Sequence, residues 1–262
     1  MSKPTDGGTG PGKLPEKPPG APPGIPLDTA TPLLLSWSGG KDAAWALHVL
    51  RQRADVRVVG LVTTLTEGYE RVAMQGIRRD LLLAQVEACG LPVFEAWMPQ
   101  RADNATYEAS YVTALDRART QWPGLRDIAF GDLYLPDIRA YRKALCTRHD
   151  WAAHFPIFDA TPGHTTRTAR AMFDAGLRAV LTCVDTTQLD GGFSGRDFDA
   201  ALLAALPASC DPCGENGEFH TLAHAGPMFA APLQITRGER VLREERFLYT
   251  DFLPATPAVG TR

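Results

Sequence analysis

The chain has 262 residues, 44% of them apolar and 22% charged, a composition that supports a folded core and excludes wholesale disorder. Lysine and arginine number 27 against 30 aspartates and glutamates, a net charge of −3, which argues against gripping nucleic acid through its phosphates. No apolar run reaches 18 residues and the N-terminus lacks a secretory apolar core, so the sequence predicts no membrane span and a cytoplasmic protein.

Residues 1–32 hold nine prolines and six glycines with almost no large apolar side chain. Such a segment cannot bury enough surface to offset its ordering entropy, and it is predicted to be a disordered leader. Leu33–Trp37 reads as a buried strand entering a tight Ser-Gly-Gly turn, and Asp42–Leu50 as a helix. Val56–Thr64 is a β-branched strand, and Gly76–Cys89 a helix with an apolar stripe at Ile77, Leu81, Leu82 and Val86, ended by Gly90. Pro92–Trp97 predicts a strand, Ala105–Thr120 a helix, Asp127–Phe130 a strand stopping at Gly131-Asp132, and Asp137–His149 a helix. This alternation predicts an α/β fold, a parallel Rossmann-like sheet with helices on both faces. The second half is less regular, with a helix at Arg167–Ala175, a strand at Ala179–Val184 and a short helix at Phe198–Leu206. A polar, turn-rich stretch follows at Cys210–Thr221, and antiparallel strands are expected within Pro232–Leu253, together a smaller C-terminal α+β domain.

Ser38-Gly39-Gly40-Lys41-Asp42, set between a strand and a helix, suits phosphate. The glycines let backbone N–H groups approach phosphate oxygens, and the helix N-terminus adds positive potential. Ser38 offers a hydroxyl, Lys41 a full charge, and Asp42 a carboxylate for Mg²⁺ or for a water. The spacing is neither a Walker A loop nor the dinucleotide fingerprint. Two glycines can serve a tight turn for geometry alone; the attached Lys-Asp pair favours a nucleotide. Ser36 and Gly131-Asp132 stand at the carboxyl ends of strands, where ligands of such sheets bind. Asp132 has two readings, a cap for the next helix or a contact with ATP or Mg²⁺, and its place in the crevice favours the second.

The loop resembles the PP-loop of ATP pyrophosphatases, which share the adenine nucleotide alpha-hydrolase fold and read SGGKDS or SGGxDS. Ala43 stands where those enzymes carry serine, which removes one hydroxyl donor worth about 1 kcal/mol. Three further segments resemble the diphthine–ammonia ligase family and its bacterial relatives. They are Phe130–Arg142, then Val184-Asp185 with Leu189 and Phe193–Asp199, then Asp211–Thr221 completed by Gly226–Phe229. Enzymes of that family adenylate the carboxyl of diphthine on elongation factor 2, releasing pyrophosphate, and ammonia then displaces AMP. The resemblance implies ATP, Mg²⁺, ammonia and a carboxylate acceptor, small-molecule or protein-borne. Gly214-Glu215-Asn216-Gly217-Glu218 stands where archaeal and eukaryotic members carry a Gly-Glu-Gly-Gly-Glu type of motif. The Asn form is similar to the bacterial branch, for which a different acceptor is expected. Gln75 stands where relatives commonly place histidine; it keeps hydrogen bonding but carries no proton at neutral pH.

The expected division is an ATP-binding domain over 33–155 and a substrate-binding domain over 156–255. Ser36, Ser38, Gly39, Gly40, Lys41, Asp42, Gly131 and Asp132 are expected to bind the nucleotide, with Lys41, Asp42 and Asp132 catalytic and the two aspartates holding Mg²⁺. Arg139, Cys213, Glu215, Asn216, Glu218 and His220 are expected at the acceptor. Glu215 and Glu218 have a second reading as exposed acids at a hairpin tip around Asn216-Gly217. Cys210 and Cys213 could be reduced thiols, a zinc pair with His220 and His224, or a redox pair. The competing functions are a PP-loop enzyme acting on nucleic acid and a non-catalytic nucleotide sensor. No nucleic-acid or membrane partner is expected, and a homodimer is compatible with the chain.

Overall fold

The computed structural model of the chain describes residues 30–255, so the predicted leader lies outside the described residues except for its last three. Strand β1 (Thr31–Ser36) starts two residues before Leu33, because Thr31 and Pro32 already pair with Val56 and Arg57. Leu33, Leu34 and Leu35 are each 0% exposed, as a central strand of a parallel sheet requires on both faces. Helix α1 (Lys41–Arg51) and strands β2 (Val56–Thr66) and β3 (Arg71–Val72) follow. Next come α2 (Arg79–Cys89), β4 (Val93–Met98), α3 (Asn104–Gln121), β5 (Asp127–Ala129), α4 (Pro136–Arg148) and β6 (Ala152–His154).

The parallel strands lie in the order β4-β2-β1-β5-β6. The chain moves outward from β1 to β4, then returns and moves outward through β5 and β6. The switch between β1 and β5 opens a crevice beyond their carboxyl ends. Alternate leucines of β1 serve opposite faces. Leu33 and Leu35 join Ala44 and Leu47 of α1 and Leu81 of α2, whereas Leu34 joins Tyr111 and Leu115 of α3 and Leu145 of α4. Two expectations need correction. Helix α2 starts at Arg79 and not Gly76, because β3 turns back antiparallel onto Leu65 and Thr66, and Gly76 sits in the following turn at φ 67°. The three-residue β6 carries no periodic signal and was not anticipated.

The C-terminal part contains α5 (His164–Asp174), β7 (Arg178–Asp185), a 3-10 turn at Gly191–Phe193 and α6 (Ala200–Ala205). Strands β8 (Phe219–Ala225), β9 (Ile235–Arg243) and β10 (Phe247–Pro254) complete an antiparallel sheet in the order β8-β7-β10-β9. The first of these strands starts inside the stretch Cys210–Thr221 that reads as turn-rich, and runs four residues beyond it. Helix α1 touches both β1 and β8, and α2 reaches β10, so these helices lie between the two sheets. Leu181, Val184 and Leu222 accordingly share one apolar cluster with Leu33, Leu47 and Leu81. Asp251 of β10 adds a polar tie, accepting from Arg71 at 2.8 Å and Arg78 at 2.5 Å. Among the described residues no helix is long and apolar enough to cross a membrane.

Candidate active site

The turn after β1 takes its shape from the second sheet. Gly39 has φ +75°, and a Cβ there would lie 2.7 Å from Gln85 Oε1, so only glycine fits. Gln85 is wholly buried; its Oε1 accepts from Trp37 Nε1 at 3.1 Å, and its Nε2 donates to Gly39 O at 2.8 Å and Ala223 O at 2.6 Å. Ala223 N also donates to Gly39 O at 2.9 Å, and Lys41 N donates to Thr221 Oγ1 at 3.1 Å. Sequence reasoning missed Gln85. The available signal was a polar residue standing inside the apolar stripe of Leu81, Leu82 and Val86.

A cavity of about 220 Å³ occupies the crevice. Ser36, Ser38, Gly40, Lys41 and Asp42 line it from the first turn, Phe130, Gly131 and Asp132 from the end of β5, and Arg142 from α4. Cys213, Glu215, His220 and Thr221 close it from the C-terminal side. A Cβ on Gly131 would meet Ala43 N and the Asp42 carbonyl carbon and oxygen at 3.0 Å, so this glycine lets the end of β5 approach the first turn of α1. Lys41 Nζ donates to Asp42 Oδ2 at 2.8 Å, while the buried Asp42 Oδ1 has no hydrogen-bond partner. Asp132 Oδ2 lies 3.4 Å from Arg142 Nε without hydrogen-bond geometry, and both atoms are buried and unpartnered. Asp132 does not cap α4, whose N-cap is Leu135 with no side-chain bond.

Two orphaned carboxylate oxygens in one cavity are hard donors that fit Mg²⁺. That ion characteristically takes one or two carboxylates plus substrate phosphates rather than a closed protein cage. No group of three or more candidate ligands occurs among the described residues.

Burial sets the charge states. It acts to lower the Lys41 pKa, but Asp42, with Cys213 and Glu215, raises it overall, so the ammonium persists. Burial likewise works against Arg142, and Asp132, with Tyr107 and Tyr111, more than restores it. Burial, reinforced by the Asp42 charge and opposed by Lys41, pushes Glu215 up to about 8; Leu133 N donates to its Oε2 at 3.2 Å. Burial and the Lys41 charge push His220 down to about 4, so it is neutral at neutral pH. The cavity therefore holds two standing cations and two carboxylates that burial holds above their ordinary range, Asp42 and, at about 8, Glu215.

Of the other expected site residues, Gly39, Arg139, Asn216 and Glu218 lie off this lining. Glu218 is buried, yet its carboxylate accepts from Asp211 N, Asn216 N and Asn216 Nδ2 at 2.7, 2.9 and 3.1 Å, which organises the turn. Asn216 Oδ1 accepts from Tyr134 Oη at 2.9 Å. Arg139 stacks over Phe158 at 4.4 Å, while Arg142, one turn further on, reaches the cavity. The exposed-acid reading of Glu218 is thus overturned. Cys213 contributes its carbonyl, which accepts from Lys41 Nζ, and its thiol donates to Thr165 O at 3.3 Å. Burial raises both thiol pKa values, Cys210 to about 12, which keeps the two free thiols protonated.

The diphthamide synthase N-terminal domain matches residues 33–150, and the diphthamide synthase C-terminal domain matches residues 164–251. The chain belongs to the diphthamide synthase family. A search of curated proteins returns no match. Membership in the diphthamide synthase family makes the chain a diphthine–ammonia ligase-like enzyme that uses ATP. The cavity straddles both matches, with Ser36–Asp42, Asp132 and Arg142 in the first and Cys213, Glu215, His220 and Thr221 in the second.

Proposed function

We propose that the chain is an ATP-dependent amide ligase that adenylates a carboxylate other than diphthine and lets ammonia displace AMP. The observation that carries this reading is the single cavity in which the phosphate turn, two cations and the titrating Glu215 face one another. Lys41 and Arg142 attract the triphosphate and offset charge on the departing pyrophosphate. An acceptor carboxylate oxygen bonds to the α-phosphorus as the bond to the β-phosphate bridging oxygen breaks, and pyrophosphate leaves with the electron pair. Ammonia then bonds to the acyl carbon, the carbon–oxygen bond to AMP breaks, and the nitrogen gives up a proton. Ionised Glu215 is placed to take that proton or to deprotonate incoming ammonium. Mg²⁺ held by Asp42 and Asp132 would supply further charge neutralisation at the phosphates. In this reading residues 33–155 bind ATP, and 156–255 contribute to the acceptor site.

The test is incubation of the chain with ATP, ammonium and a carboxylate pool. Equal amounts of AMP and pyrophosphate with a new amide are expected; ATP binding without AMP under any pool sinks the ligase. That second outcome would favour a nucleotide sensor, a reading supported by Ala43, which faces the cavity without a hydroxyl.

A further inference from the structure

A second cavity, of about 420 Å³, lies beside the first and belongs to no step described above. It opens beyond the carboxyl ends of β2 and β4 and is closed by β9 and β10. His220 lines both cavities, so the two spaces meet at that side chain. The size falls in the range of metabolite pockets.

Its walls are unusual for this molecule. Six large apolar side chains are notably exposed among the described residues, and three of them, Tyr69 at 47%, Met74 at 65% and Val241 at 37%, line this space. Phe247 and Tyr249 add aromatic surface. Such clustering marks a surface that a ligand covers. Arg243 lies over Tyr69 at 5.0 Å and Tyr249 at 5.8 Å, and has no ion-pair partner among the described residues. Arg71, by contrast, is neutralised by Asp251. Glu239 and Glu244 also line the cavity and repel a polyanion, which disfavours a triphosphate there.

We propose that this second cavity is the acceptor site, and that it takes a metabolite-sized carboxylate carried on an apolar or aromatic body. Tyr69, Met74 and Val241 cover the body, Arg243 draws in and orients the anion, and the carboxylate meets the nucleotide at His220. The acceptor role rests on the ligase reading; the ligand chemistry rests on the cavity alone.

The test uses the full chain and saturation-transfer NMR with three probes: 3-phenylpropionate, succinate, which lacks the apolar body, and 3-phenylpropanol, which lacks the charge. Only 3-phenylpropionate is expected to bind well, with the other two weaker by about tenfold or more. Val241→Trp fills the space from an exposed strand position, and Arg243→Gln removes the charge. Each should weaken 3-phenylpropionate by about tenfold while the ATP dissociation constant stays within about twofold. Absence of 3-phenylpropionate binding to the wild type, or binding unchanged in both variants, overturns the proposal. So does a comparable loss of ATP affinity in Val241→Trp, which would place the nucleoside end of ATP in this cavity. If the wild type binds the probe but turns over no ATP with any carboxylate, the ligase reading falls and the carboxylate site stands.

Discussion

Gln85→Met tests the idea that the phosphate turn is shaped from a distance. The substitution keeps a long, unbranched side chain but removes every hydrogen bond that Gln85 makes. Trp37 Nε1, which donates to Gln85 Oε1 at 3.1 Å, is left in a buried residue without that acceptor. An orphaned buried donor costs about 1–3 kcal/mol. Gly39 O keeps the bond from Ala223 N at 2.9 Å, so its loss is partial. Ala223 O loses the 2.6 Å bond from Gln85, adding about 1 kcal/mol. The sum is about 2–4 kcal/mol, measurable by urea denaturation. Isothermal titration with ATP should show affinity reduced by about tenfold, because Gly39 is then held on one side only. A variant that loses the stability but binds ATP like the wild type would refute the reasoning, since Ala223 and Thr221 would then suffice to set the turn.

Glu215→Gln separates burial from chemistry. A carboxyl raised from 4.5 to about 8 resists ionisation in the folded state, so its stabilising contribution is complete below about 4.5 and is lost as pH rises through about 8. Melting curves should show the wild type falling relative to Glu215→Gln across that window and running parallel above it; curves parallel throughout would contradict the burial. Gly131→Ala places a methyl 3.0 Å from three backbone atoms and should cost about 1–3 kcal/mol in denaturation. No loss would mean that the end of β5 can retreat from α1. Lys41→Met leaves the Asp42 carboxylate in the cavity without its ion pair and should cost about 3 kcal/mol by the same assay. Unchanged stability would show that Asp42 simply protonates.

The first sheet was legible because its strands are short apolar runs and its helices carry single stripes. Leu33–Leu35, Leu81-Leu82 and Gly90 behave as their types suggest. What failed depended on partners far along the chain. Phe219–Ala225 alternates weakly, and its strand character comes from pairing with β7. Arg139 and Arg142 are three residues apart on one helix, and nothing in the sequence decides which faces the crevice. Glu218 looks like a surface acid until the nitrogens of its own turn are seen around it. Gln85 was visible as an anomaly in an apolar stripe, but its partners, 46 and 138 residues away, were not.

The ties between the phosphate turn and the second sheet also bear on biosynthesis. The contacts from Lys41 to Cys213 and Thr221 span 172 and 180 residues, so the turn cannot reach its final form until those residues have left the ribosome. A nascent chain can close the sheet around β1 early, yet its nucleotide turn stays unfinished. Products that stop short of Thr221 therefore lack a finished nucleotide turn, however complete the sheet around β1.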